Sequence, residues 1–395
     1  MSYSYDNGSE LTAINYTLGQ NSLGNLTYTY DLAGRRTSMG GSLAQVNLPD
    51  AISSTAYDAA NELTQWGTAT PTYDANGNML SDGTNTYVWN ARNQLASMDS
   101  GADTFEYGPF GRRVAKTNIL GTTNFLYDGE NPVQELSGTT PTANMLTGPG
   151  VDEYFTWTDS SGTGNFLTDG LGSTVELTDN SGNQLAQYTY EPFGNTTATG
   201  TSSNPYQYTG QANDGDGLYF YRNRYYLPAL GRFASEDPIR IFGGDLDFYQ
   251  YAQGSPTNFT DPLGLYTLSL TGDINIQWGP VNLQWQGGFA IDSHGNLAVV
   301  NTGGGGEGIG AQSGIGLNLS GSNAPNVCGL GGWFANVSGQ AGLGLDAGGN
   351  GFAGVYDGRP VIGGGVTIGG GAGIGSSTAA TYTGVTPVAG RKDHC

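Results

Sequence analysis

The chain has 395 residues with 67 glycines, 11% aromatic and only 12% charged residues, a balance that suits turn-rich β-structure and leaves room for two structural regions. Thirteen basic against 34 acidic residues give a formal charge of −21, which argues against a nucleic-acid partner and serves to keep an aromatic-rich chain in solution. Two cysteines, Cys328 and Cys395, are too few for a disulfide framework or a structural zinc site, and no cofactor motif is present.

The N-terminus, MSYSYDNGSE, has neither a charged nor an apolar leader region, and no apolar run is long enough for a transmembrane helix. Export would need another route, or a longer reading frame of which this chain is a fragment. Apolar residues nowhere keep helical spacing for three turns, so little helix is expected. Tyr-Asp pairs recur instead, at Tyr5-Asp6, Tyr30-Asp31, Tyr57-Asp58, Tyr73-Asp74 and Tyr127-Asp128, with looser copies at Trp89-Asn90, Tyr107-Gly108 and Tyr190-Glu191. From Tyr57 to Tyr127 the steps are 16, 16, 18 and 20 residues, the spacing of stacked repeats. An aromatic often stands two residues earlier, as in Tyr28/Tyr30 and Phe105/Tyr107, so both rings share a strand face. Turn formers such as Asp31–Gly34 and Asp74–Gly77 follow, then a return strand. One such hairpin cannot bury its aromatic face, but a series of stacked neighbours can.

Residues 166–194 read FLTDGLGSTVELTDNSGNQLAQYTYEPFG, and Leu218–Tyr226 reads LYFYRNRYY, two further strands with Arg222 and Arg224 on one face. Then comes Gly231–Leu265, GRFASEDPIRIFGGDLDFYQYAQGSPTNFTDPLGL, with two Asp-Pro pairs 24 residues apart. Together these motifs resemble the RHS/YD-repeat proteins, relatives of the teneurin shells and Tc-toxin C components, over Met1–Leu265. The resemblance implies an all-β fold of antiparallel hairpins forming a partial shell (1–230), a core segment (231–265) and a variable tip (266–395). It also implies an extracellular or cell-surface protein whose own C-terminal domain is cargo, with an immunity protein or a target-cell surface or membrane as further partners.

Family members whose core ends in Asp-Pro-x-Gly-Leu commonly cut their own chain after that leucine. Carried over, the scissile bond is Leu265–Tyr266, with Asp237 and Asp261 as a catalytic pair and Arg232 as a supporting cation. The chemistry is sound: two carboxylates held close do not both ionise, so one can activate water while the other protonates the leaving amine. A substrate tethered in the same chain makes a modest single-turnover catalyst sufficient. Asp-Pro is also an ordinary turn former, and this sequence departs from the family pattern at Arg240 and at Gly254-Ser255-Pro256. The competing class is therefore a non-enzymatic structural or surface-binding repeat protein.

The tail holds 35 of the 67 glycines in 130 residues. Apolar residues alternate from Tyr266 to Trp278 and again from Val281 to Ile291, with later strands at 315–319, 333–345, 352–356 and 362–374. An antiparallel meander or barrel is expected. His294 beside Asp292 is a turn histidine, His394 lies near the terminus, and no nucleophile with a credible partner appears. Two readings of the alternation stand: a half-exposed soluble sheet, which leads, and a membrane-inserting barrel.

Overall fold

In four of the five Tyr-Asp pairs the aspartate folds its own turn, the Asp6 and Asp31 carboxylates accepting from the Glu10 and Arg35 amides. In the computed structural model the Asp58 carboxylate accepts hydrogen bonds from the Ala60 and Glu62 amides, and Asp74 accepts from Asn76 and Asn78. Asn90 does the same for Arg92 and Gln94, and Asp169 for Leu171 and Ser173. Three residues after each acceptor the backbone has positive φ, supplied by Asn61, Gly77, Asn93 and Gly172. The aromatic before the acceptor reaches back to the preceding copy. Tyr73 Oη accepts from the Leu63 amide, Trp89 Nε1 donates to the Met79 carbonyl, and Tyr107 Oη donates to the Leu95 carbonyl. One side chain thus makes the turn and its neighbour ties that turn to the previous repeat.

The structure describes residues 1–32, 34–215, 217–238, 247–264, 267–278, 280–291, 297–322, 324, 330–356 and 359–389. These residues are all-β with no α-helix. The chain divides into two compact units, Met1–Glu236 with Tyr249–Gly264, and Asp237–Phe248 with Leu265–Cys395.

In the first unit, a 12-stranded antiparallel sheet runs in strict chain order from Tyr87–Trp89 to Thr196–Gly200. A four-stranded sheet from Ser2–Tyr5 to Arg36–Gly40 docks on the 169–173 turn, where Tyr16 Oη bonds Thr168 and Tyr28 Oη accepts from the Gly170 amide. A second four-stranded sheet, Ala212–Gly215, Leu218–Tyr221, Arg224–Leu227 and Arg232–Phe233, is the core. Every residue of its two central strands is buried. One face (Tyr219, Tyr221, Tyr226, Phe233) packs with Tyr154, Trp157 and Tyr188, and the other (Leu218, Phe220, Tyr225, Leu227) with Met79, Leu95 and Phe105. This sheet is therefore the filling between two stretches of repeat. The sequence reading of Arg222 needs correction: with φ 56° it occupies the tight turn between the strands, and only Arg224 lies on one.

In the second unit, the strands Thr267–Trp278 and Val281–Ile291 form a hairpin flanked on both edges by the 26-residue strand Leu297–Ser322. Arg359–Ala389 follows that strand along its whole length, and Gly332–Tyr356 follows Arg359–Ala389 in turn. Each long strand supplies two segments, so the unit is an eight-segment closed barrel rather than a simple meander. The strands exceed those expected because the glycine runs, such as Gly303–Gly306, continue the ladder instead of breaking it. The apolar side chains face outward: Ile315 is 68% exposed, whereas Asn318 and Thr381 are 1% exposed. A small apolar cluster, including Ala290, Ala298, Val300 and Phe334, is also buried.

Candidate active site

The last turn of the core, Asp261-Pro262-Leu263-Gly264, is closed by the Gly264 amide donating to the Asp261 carbonyl at 3.1 Å. Proline at the second position and glycine at the fourth suit that geometry. Gly264 is required for a second reason. Its φ is +62°, and a Cβ there would stand 2.7 Å from the Tyr221 carbonyl oxygen.

Three consecutive residues of the neighbouring hairpin hold three consecutive carbonyls of this turn. Arg222 Nη1 donates to Pro262 O at 2.6 Å, Asn223 Nδ2 to Leu263 O at 3.0 Å, and Arg224 Nε to Gly264 O at 2.6 Å. Gln211 adds a bond to Pro262 O at 3.2 Å. Both arginines of the clamp are themselves anchored. Arg222 bonds both carboxylate oxygens of Asp152 and the Glu130 carbonyl. Burial opposes its charge, but the Asp152 carboxylate outweighs burial and raises its pKa. Arg224 sits 3.6 Å from the Phe233 ring centre and 3.3 Å from the Asp261 carboxylate, both partners of that ion pair about 1% exposed.

Asp261 is fully buried in this arrangement. Beside it lies an aromatic cluster in which Tyr221 Oη donates to Tyr251 Oη at 3.1 Å and shares a hydrogen bond with Thr209 at 2.7 Å. Burial pushes the phenols of Tyr221, Tyr226 and Tyr251 upward, so all stay neutral. Arg232 is buried in the same unit, donating to the Asn61 carbonyl at 2.8 Å and facing the rings of Tyr249 and Tyr57 at 4.7 and 5.2 Å. Asp237, 3% exposed, belongs to the second unit, and its amide donates to the Phe248 carbonyl at 2.8 Å. Leu265 and Tyr266 lie outside the described residues, as do Arg240, Asp292, His294, His394 and both cysteines. Among the described residues no group of three His, Cys, Asp or Glu side chains is placed to hold a metal.

The clamp was not singled out from the sequence, although a signal was there. Arg222-Asn223-Arg224 interrupts a run of aromatics whose density already implies burial, and buried guanidinium groups need acceptors.

The Teneurin YD-shell family matches residues 1–257. The tRNA3(Ser)-specific nuclease WapA of Bacillus spizizenii is 32% identical over 258 residues, covering 60% of this chain and 11% of WapA. Double-stranded DNA deaminase toxin A of Burkholderia cenocepacia is 28% identical over 320 residues, 67% of this chain and 22% of the toxin. Toxin protein Tse5 of Pseudomonas aeruginosa is 38% identical over 102 residues, 25% of this chain and 8% of Tse5. The solved TcdB2-TccC3-Cdc42 structure superposes with a TM-score of 0.48 at 19% identity over 67% of this chain and 18% of that one. The chain thus spans between about a tenth and a fifth of the length of these relatives, and the family match ends before the glycine-rich tail.

Proposed function

From a chain that belongs to the teneurin YD-shell family, we propose a shell-and-core protein of toxin type that scaffolds its variable C-terminal domain and frees it by one self-cleavage after Leu265. The observation that carries this reading is the grip on the Pro262, Leu263 and Gly264 carbonyls, which fixes the chain leading into the Leu265–Tyr266 bond. A backbone held by side chains of its own fold has the high effective concentration that a weak catalyst needs. Its relatives named as toxins support an effector as cargo.

In the proposed reaction Asp261, facing the Arg224 guanidinium, is the anionic partner and takes a proton from water. The water oxygen bonds to the Leu265 carbonyl carbon, the bond to the Tyr266 nitrogen breaks, and Asp237 gives that nitrogen a proton. Arg232 is the supporting cation, as the family resemblance implies. The products are a Leu265 carboxylate and a Tyr266 amine, and the site turns over once. Export to the cell surface and an immunity partner for the producing cell follow from the same reading.

Intact-mass analysis of the denatured protein, beside Asp237→Asn and Asp261→Asn, tests it. The expected result is a new N-terminus at Tyr266 in the wild type and a full-length mass in both variants. A full-length mass in all three would leave a structural or surface-binding repeat protein with a fixed C-terminal domain.

A further inference from the structure

We infer that the second unit inserts into a lipid bilayer as a β-barrel, with acyl chains covering its outward face. The inference does not rest on the proposed cleavage, because it is drawn from the second unit's own side chains.

The polarity of this barrel is inverted relative to a soluble one. Beside the one small apolar cluster around Ala298, Val300 and Phe334, its buried positions carry hydroxyl and amide groups that bond one another. Asn318 donates to Thr367 at 2.9 Å and to Asn350 at 2.8 Å, Gln284 donates to Ser338 at 3.1 Å, and Ser338 meets Ser377 at 2.9 Å. Thr302 and Thr383 are 2.7 Å apart. Its exposed positions carry the large apolar side chains, with Ile315 and Ile368 at 68%, Trp333 at 69% and Leu317 at 64%. A soluble barrel has the reverse arrangement, and a transmembrane barrel has this one.

Five further observations point to lipid as the occupant. Apolar outward residues occur on all five strands, as at Ile274, Trp285, Leu317, Trp333 and Ile368, so a second copy docked on one side would leave most of them wet. Trp333, Tyr382, Gly303, Trp285, Ile274 and Ile315 stand side by side in register across six neighbouring segments, forming one level of an apolar band. The strand Val281–Ile291 has 11 residues, the length with which a tilted strand crosses the hydrocarbon layer. Among the described outward side chains the only charge is Glu307, which pairs in register with Val281, the first residue of its strand. Among the described residues the band is thus uncharged except at that strand end. Closure leaves no unpaired edge on the hairpin strands, as the hydrocarbon layer demands. Eight segments enclose a lumen that side chains fill, so the barrel anchors in the bilayer without a wide aqueous channel.

The test is flotation of the full chain with phosphatidylcholine–phosphatidylglycerol vesicles, repeated with brominated acyl chains. Most of the protein is expected to float, and the brominated lipid to quench Trp285 and Trp333, assigned through Trp285→Phe and Trp333→Phe. Leu317→Lys with Ile368→Lys, register partners on the outward face, is expected to lower the floated fraction at least about tenfold. Leu32→Lys, in an exposed turn of the first unit, leaves it unchanged. Circular dichroism of the double variant confirms that its strands are intact. Wild-type protein that stays in the aqueous fraction overturns the inference, as does a double variant that floats equally well. Self-association in buffer without flotation would give the face to a second copy and overturn it equally. The mass of the floated species reads cleavage separately: an uncut chain that floats upholds insertion and tells against release.

Discussion

Glu135 shows how a single half-buried carboxyl makes the first unit sensitive to pH. Burial pushes its pKa from the ordinary 4.5 up to about 7, against the opposing effects of the Tyr206 hydroxyl at 3.3 Å and the Arg113 guanidinium. A raised carboxyl pKa means that the folded unit favours the neutral form. Its contribution is therefore complete below 4.5 and is lost as pH rises through about 7. Denaturant midpoints of the first-unit transition should fall between those values, by about 1–3 kcal/mol. Glu135→Gln should match the wild type at the acid end and exceed its stability at pH 8. The sequence offered no sign of this, because the surroundings of Glu135 are assembled from strands distant in the chain.

The turn is the element that repeats, and its fourth position decides how much each copy tolerates. Gly77 has φ +78°, and an added Cβ would stand 2.7 Å from both the Glu236 side chain and Tyr249 Oη, whose hydroxyl donates to the Gly77 carbonyl. Gly172 has nearly the same φ, +84°, with nothing within 4 Å. Gly172→Ala should cost only the backbone strain of the left-handed conformation, about 1–2 kcal/mol. Gly77→Ala should cost roughly 1–3 kcal/mol beyond that, because the core segment must shift. Thermal unfolding of the two variants side by side checks the difference. Tyr-Asp spacing made the turns themselves legible, since the aspartate and the glycine act within five residues of one another. Which turn the core leans on was not legible, because Glu236 and Tyr249 come from far along the chain.

At the scale of the molecule, each compact unit has its own buried cluster, so two unfolding transitions are expected in calorimetry. Arg224→Met removes one partner of buried Asp261 and should lower the first by about 3–5 kcal/mol while leaving the other in place. Asn318→Ala strips partners from Asn350 and Thr367 and should lower the second by about 1–3 kcal/mol. A single transition shifted equally by both variants would refute the separation.

The sequence alone determined what depends on neighbours along the chain. The all-β class, the repeat period, the Asx-type turns, the Asp-Pro-Leu-Gly turn and the change of composition after Leu265 all follow from local spacing and residue chemistry. Tertiary structure decided what depends on distant segments meeting. It placed Arg222, Asn223 and Arg224 one by one on the carbonyls of residues 262–264, buried Asp261 against Arg224, and closed the tail into a barrel. It also chose which face of the alternating strands points inward. Alternation has a period of two whichever side is wet, so only closure of the sheet could assign the hydroxyls to the interior and the isoleucines to the outside.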